Sequence, residues 1–294
     1  MPVVRVPDET GHTLTLLEVD GTYRATCSSV PDHENEVRSI PTWLARDDDV
    51  LICSYPKSGT HWLWEVTSML IRNKAERIPG EKESAMLELI QQSRFDNLPS
   101  PRVLNTHVQY GHVPKDFLDR RCKILYMIRN PKDVSVSFFN HHAKLLDYEF
   151  TGPWETYLPR FLRGDVDGGS WFDYTLSWEN FILQIPDYPI LAIYYEDMKS
   201  NPFREIQRIA TFLEVPCDVM FLERVTQLCD FNTMKTDKER LEDAADWRGG
   251  KSDMYRKGKV GDWKNWFTVG QNDLFDRVFA ERMHNSKTNI RFSL

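Results

Sequence analysis

Four short apolar runs punctuate this chain: Val50–Ser54, Val103–Thr106, Lys123–Ile128 and Ile190–Tyr195. Each is too short for a buried helix and too continuous for a half-exposed strand, so each predicts a strand covered on both faces. Helical patterning fills the spaces between and after them. Leu63, Val66, Met69 and Leu70 share one helical face after the first run. Ile206, Ile209, Ala210 and Leu213 do so after the fourth, where Asn201 is a natural N-cap and Pro202 suits the first helical position. Strands alternating with helices predict a single α/β domain over residues 1–294, with a mostly parallel central sheet flanked by helices. Residues 1–40 are polar and turn-rich, with Asp20-Gly21 and Pro31-Asp32 as breakers, and read as a divergent leader that packs on the surface or forms a lid. No internal repeat, low-complexity tract or linker interrupts the rest.

Ligands of such sheets bind at the carboxyl ends of the strands, where Lys57, His107, Arg129 and Tyr195 fall. The first strand runs into Tyr55-Pro56-Lys57-Ser58-Gly59-Thr60-His61-Trp62 and then into a helix. A helix start offers N–H groups and a positive dipole end to an anion. Lys57 adds a full charge, Ser58 and Thr60 add hydroxyls, Gly59 permits close backbone approach, and Trp62 offers a flat face to a base. This strand–loop–helix predicts a nucleotide 5′-phosphate site. It is not the G-x-x-x-x-G-K-[ST] loop of kinases and ATPases, because lysine precedes glycine. The only Gly-Lys-Ser triplet, Gly250-Lys251-Ser252, has Ala245 where the first glycine belongs and no strand before it; it reads as a loop.

Tyr-Pro-Lys-Ser-Gly-Thr-x-Trp resembles the 5′-phosphosulfate loop of the cytosolic sulfotransferases. Three further segments match that family in order: Arg129 to Ser137, its 3′-phosphate segment; Tyr195-Glu196-Asp197-Met198; and Arg256-Lys257-Gly258-Lys259-Val260-Gly261-Asp262-Trp263-Lys264. The similarity runs from about Trp43 to about Met283. It implies an enzyme that moves a sulfuryl group from 3′-phosphoadenosine 5′-phosphosulfate to a hydroxyl or amine of a small apolar or phenolic acceptor, with no metal required. It further implies Lys57 to Trp62 on the 5′-phosphosulfate, Arg129 and Ser137 on the 3′-phosphate with Arg256, Lys257 and Gly258 closing over it, and adenine between Trp62 and the stretch holding Cys229, Phe231 and Met234. Tyr195 joins the nucleotide site. His107 ends the matching Pro101-to-His107 segment and is the implied general base, a role that an imidazole titrating near neutrality can fill. Lys57 would meet charge on the leaving phosphate, and Ser137 would hold Lys57 back until acceptor arrives.

The chain departs from the family pattern at Cys229 and Asp230, and at Asn105, where many members carry lysine two residues before the histidine. Asn105 is expected to remain a neutral donor to the transferring group. A protein that binds the nucleotide without turnover is the alternative that Asn105 favours; a nucleotide kinase is a more distant one. Lys264, Thr268, Val269 and Asp273 resemble the family's short dimer motif and imply a weak homodimer.

Composition narrows the remaining classes. The 294 residues carry 41% hydrophobic and 28% charged side chains, as globular domains do, and a net charge of −7 argues against a general nucleic-acid binder. No run reaches the roughly 18 apolar residues of a membrane helix, and the amino terminus lacks a signal-peptide core. Cys27, Cys53, Cys122, Cys217 and Cys229 are odd in number and widely spaced, which predicts reduced thiols and a cytoplasmic protein. His12, His33, His61, His112 and His284 carry no catalytic expectation, and the adjacent His141 and His142 lack companions at metal spacing. Leu145, Leu146, Tyr148, Phe150 and Trp154 are candidates for the wall of an acceptor pocket.

Overall fold

The computed structural model describes residues 3–78, 80, 82–238, 246–250, 252 and 254–294. Among the described residues, seven strands form two sheets: β1 (Val3–Pro7), β2 (Thr13–Val19), β3 (Thr22–Arg24), β4 (Val50–Ser54), β5 (Val103–Thr106), β6 (Lys123–Ile128) and β7 (Ile190–Tyr194). The central sheet has the order β5-β4-β6-β7 and is parallel throughout. Its four strands match the four apolar runs, except that Tyr195 leaves the strand and opens the Tyr195–Ser200 helix.

Strand alternation divides the core in two. Leu51, Cys53, Ile124 and Tyr126 point into an aromatic layer with Tyr174, Trp178 and Phe138. Val50, Ile52, Leu125 and Met127 meet Leu63, Val66 and Met69 of the Thr60–Arg72 helix and Ile206 and Ile209 of the Pro202–Leu213 helix. All five residues of β4 are buried, because both faces are covered. The Pro202–Leu213 helix starts as expected: Pro202 occupies its first turn, and the Asn201 side chain accepts from the Arg204 N–H at 3.1 Å.

Residues 1–40 form more than a leader packed on the surface. β1, β2 and β3 form an antiparallel sheet, and Leu14, Leu16 and Leu17 of β2 are buried in the aromatic layer's core. Val19 pairs with Thr22, so Asp20-Gly21 is a two-residue hairpin turn. Both turn residues have positive φ, 49° and 75°, the geometry of a tight hairpin, where an Asp-Gly pair is favoured. The dipeptide joins two strands; it does not break them.

The strand order reverses between β4 and β6. β4 leads to β5 on one side, and β6 leads to β7 on the other. The loops leaving β4 and β6 therefore splay apart and open a crevice at the carboxyl edge of the sheet.

Candidate functional site

The loop after β4 is held by its own backbone. The Ser58 N–H donates to the Tyr55 carbonyl at 3.2 Å, and the buried Tyr55 hydroxyl donates to the Gly169 carbonyl at 2.7 Å. Lys57 takes a left-handed conformation, φ 63°, and Gly59 has φ 108°. A Cβ on Gly59 would lie 2.8 Å from the Tyr195 ring and 3.0 Å from Met127 Sδ, so glycine is demanded by packing as well as by φ. Thr60 Oγ1 bonds to Ser54 Oγ at 2.7 Å, tying the helix start to the strand end.

Across the crevice, the Arg129 guanidinium donates to the Lys57 carbonyl at 2.8 Å and lies 4.2 Å above the Tyr195 ring. Its Nε, the Ser58 hydroxyl and the Trp62 indole N–H are buried and have no hydrogen-bond partner among the described residues. Orphaned buried donors are uncommon. Three of them beside a helix start suit a phosphate-bearing ligand.

A cavity of about 840 Å³ brings the candidates together. Lys57, Gly59 to Trp62, His107, Arg129, Ser137, Tyr195, Cys229, Phe231, Met234 and Arg256 to Gly258 all line it; Ser58 stands behind the wall, 1% exposed. At one end Trp62 and Phe231 flank the Lys199 ammonium, which lies 5.6 and 5.8 Å from their rings. Gly258, with φ 60°, packs so closely on Phe231 that a Cβ would come within 2.2 Å of the ring. Cys229 is buried, and burial pushes its thiol up to about 12, so it contributes bulk and not charge.

Arg256 and Lys257 line the cavity but differ from the expected open clamp. Each donates to Asp262 at 2.7 Å. Burial alone would raise the Asp262 carboxyl; bonds from Lys257, Asn265 and Arg256 overcome it and hold the group at about 2. The short loop between them lets the acid of Gly261-Asp262-Trp263 reach back to both cations. That loop is itself anchored, since Asp133 accepts from the Gly261 N–H at 2.7 Å and the Trp263 N–H at 3.0 Å. Asn130 donates to Asp133 at 2.9 Å and to Glu196 at 3.0 Å. Three sequence motifs, distant along the chain, thus form one hydrogen-bonded frame.

His107 follows β5. Its Nδ1 lies 2.7 Å from the Ser54 carbonyl, an acceptor only, so Nδ1 carries the proton and Nε2 keeps a lone pair. Burial is the main cause that lowers its pKa to about 3, and the positive charge of Lys82 is the second. The ring is therefore neutral near pH 7. Glu88, which sequence patterns did not single out, fixes the turn: it accepts from the His107 N–H at 2.5 Å and the Thr106 hydroxyl at 2.9 Å. Lys57 Nζ lies 3.4 Å from His141 Nδ1 and 3.2 Å from Met254 Sδ. Burial, then the Lys57 charge, hold His141 well below its usual pKa. His142 is a satisfied core residue, with Nε2 2.6 Å from Asp167 and Nδ1 2.8 Å from the Tyr157 hydroxyl.

Asn105 does not reach the reacting region. It is fully buried and absent from the cavity wall, and its amide donates to the Lys82 carbonyl at 2.7 Å. β5 places its side chain toward the Lys82 backbone and away from the crevice. Lys82 itself lines the cavity, with Nζ 3.0 Å from Glu83 Oε1; the same oxygen is 3.1 Å from His61 Nε2. Of the acceptor-wall candidates, Leu145 and Tyr148 line the cavity, Phe150 and Trp154 are core, and Leu146 is exposed. Met86, Leu89 and Trp247 complete the apolar wall. In the Gly250-Lys251-Ser252 segment, Lys251 lies outside the described residues. Lys264, Thr268, Val269 and Asp273 are all exposed, and the Thr268 side chain caps the Val269–Arg282 helix. The five cysteines are free thiols, and no described helix is long and apolar enough to cross a membrane.

Comparison with known proteins agrees with this geometry. A sulfotransferase domain profile matches residues 47–287. Sulfotransferase 1B1 of Canis lupus familiaris is 38% identical over 88% of this chain and 90% of its own length. Human sulfotransferase 1C2 is 32% identical over 97% of this chain and 98% of its own. Among solved structures, mouse sulfotransferase SULT7A1 complexed with PAP superposes with a TM-score of 0.75 at 34% identity, covering 92% of this chain and 95% of that one.

Proposed function

The chain belongs to the sulfotransferase family, and we propose the following division of labour within its cavity. When bound, 3′-phosphoadenosine 5′-phosphosulfate supplies the sulfuryl group, whose S–O bond to the 5′-phosphate breaks as a bond to the acceptor oxygen forms. The Tyr55–Trp62 loop and Lys57 hold the 5′ end. Arg129 and Ser137 hold the 3′-phosphate, for which Arg256 and Lys257 exchange their bonds to Asp262. Trp62 and Phe231 flank adenine, with Met234, Cys229 and Tyr195 shaping the slot. His107 Nε2 takes the acceptor's proton, and Lys57 faces the charge growing on the leaving phosphate, where preorganised electrostatics act most strongly. Ser137 restrains Lys57 before the acceptor arrives. The apolar wall of Met86, Leu89, Leu145, Tyr148 and Trp247 suits a small phenol or apolar alcohol.

The observation that carries this reading is the pairing, in one cavity, of a neutral histidine with a free Nε2 and an anion loop with orphaned donors. Incubation with 35S-labelled donor and a panel of phenols, steroids and amines tests it. Label transfer to phenols or apolar alcohols is the expected outcome; tight binding of 3′,5′-ADP without transfer to any acceptor would identify a silent nucleotide binder instead. The exposed Lys264, Thr268, Val269 and Asp273 support a weak two-fold dimer, and the reduced thiols a cytoplasmic location.

A further inference from the structure

We propose that Lys82 is a second cation of the reaction centre, meeting the negative oxygens of the transferring sulfuryl group, and that Asn105 is the residue that positions it. The inference rests on the proposed use of the cavity and adds a residue that neither the motifs nor the family match singles out.

Lys82 sits on a short 3-10 turn, Lys82–Ala85, outside every recognised motif. It is 5% exposed, yet it lines the same cavity as Lys57 and His107. Lysine is seldom buried, because its ammonium loses hydration. Its contacts here are modest: Glu83 Oε1 at 3.0 Å, an oxygen shared with His61, and the weak acceptor Met86 Sδ at 3.4 Å. Burial opposes ionisation of Glu83, but Lys82 and His61 hold its carboxyl well below the usual range, so Glu83 stays charged. Glu83 thus pairs with the Lys82 ammonium at 3.0 Å, and Lys82 also lines the cavity. The charge also reaches His107, where after burial it is the largest influence against protonation.

Two contacts from β5 fix the turn. Met86 forms a parallel bridge with Asn105, and the Asn105 amide donates to the Lys82 carbonyl. Asn105 is fully buried and its Oδ1 has no partner among the described residues. A buried amide left half-satisfied on the edge strand of the sheet adds little stability. Its one bond is to the backbone of the lysine that enters the cavity. A cation two residues before His107 is absent, and a cation from another segment, held by the residue at that position, stands in the same cavity.

The test separates the sulfuryl group from the rest of the nucleotide. Binding of 3′,5′-ADP and of the intact donor is measured by calorimetry for the wild type, Lys82→Met and Lys82→Gln. The account expects 3′,5′-ADP affinity to stay within about twofold while donor affinity falls about tenfold, and turnover with a phenol that the wild type sulfates to fall about a hundredfold, as loss of one preorganised donor does. Asn105→Ala should lower turnover about tenfold in the wild type and leave the Lys82→Met enzyme unchanged, since residues acting through one another are not additive. Equal weakening of both nucleotides, unchanged turnover, or the same Asn105→Ala effect in both backgrounds would overturn the proposal. Lys82→Gln keeps most of the side chain's bulk and decides the matter if Lys82→Met does not fold. Should the wild type transfer sulfate to no acceptor, the proposed function fails, while the two binding affinities still decide the role of Lys82.

Discussion

The two ends of the cavity are built by different means. The end proposed for the nucleotide combines a constrained backbone, with a left-handed Lys57, a glycine wedged against Tyr195 and a helix start, and a hydrogen-bonded frame in which Asn130 and Asp133 tie the segments of Glu196 and Gly261 together. The acceptor end is assembled from side chains on short, separate turns: Lys82–Ala85, Leu146–Tyr148 and the Trp247 and Met254 region. The nucleotide has one shape, so its end tolerates little change. The proposed acceptor wall has ties of its own, with the Tyr148 hydroxyl donating to Asp167 at 3.0 Å and Leu145 bridged to Trp247; these are separate from the frame around Asp133, so the wall's residues can vary without unseating the nucleotide. In the proposed reaction the chemistry falls where the two ends meet, at Lys57 and His107, which line the same cavity.

Breaking the junction should have the largest effect. His107→Ala removes the proposed base and leaves the loop intact; turnover should drop by about 10²–10⁴-fold, with 3′,5′-ADP affinity preserved. Loss of nucleotide binding would show that the two ends are not separable. Next comes the frame end itself. Gly258→Ala places a Cβ within 2.2 Å of Phe231 at a positive φ, so we expect 3′,5′-ADP affinity to fall about tenfold or more, equivalent to at least ~1.4 kcal/mol. Unchanged calorimetric affinity would mean that Phe231 can yield without moving the adenine slot.

The legibility of the sequence follows the same division. All four strands of the central sheet, the tight Tyr55–Trp62 loop and the Asn201 cap are readable because each is local: an apolar run, a turn, a side chain three residues from its partner. The hairpin of β2 and β3 is equally local, but Asp20-Gly21 serves strands as well as breaks, and the alternation in Thr13–Val19 was the signal that separates the two. Asp262, five and six residues beyond Lys257 and Arg256, was likewise visible as their competitor. Lys82, Glu83, Glu88 and Lys199 were not legible, since nothing in their own neighbourhoods marks them. Only the packing of distant turns brings them to the cavity. Asn105 was misread for a related reason: its position in the motif pointed to the ligand, whereas the strand aims its side chain at Lys82.

Acid sharpens the comparison more gently, because it acts on histidines at the junction. His61 and His107 are lowered mainly by burial to about 4 and about 3. In the unfolded chain both titrate near 6.5. Between those values the unfolded state binds more protons than the folded one, so stability is full above about pH 6.5 and declines as pH falls toward 3. Thermal melts from pH 8 to 4 should show a falling Tm below about pH 6.5, and His61→Gln should flatten the slope. A Tm independent of pH across that window would contradict the burial of these rings. The smallest effect concerns the outer surface. Val269→Glu, at an exposed position, should change monomer stability by less than about 0.5 kcal/mol and shift only the concentration dependence of light scattering. An unaltered dimer would remove this stripe from the interface.

In the proposed function one cavity seats the nucleotide on the Tyr55–Trp62 loop and presents the acceptor to His107. A crystal structure with 3′,5′-ADP and a phenolic acceptor tests it most directly. The account predicts the 5′-phosphate against Lys57 and the helix start, the 3′-phosphate at Arg129, adenine between Trp62 and Phe231, and the phenolic oxygen within hydrogen-bond reach of His107 Nε2. A nucleotide seated elsewhere, or a phenol bound away from that nitrogen, would contradict it.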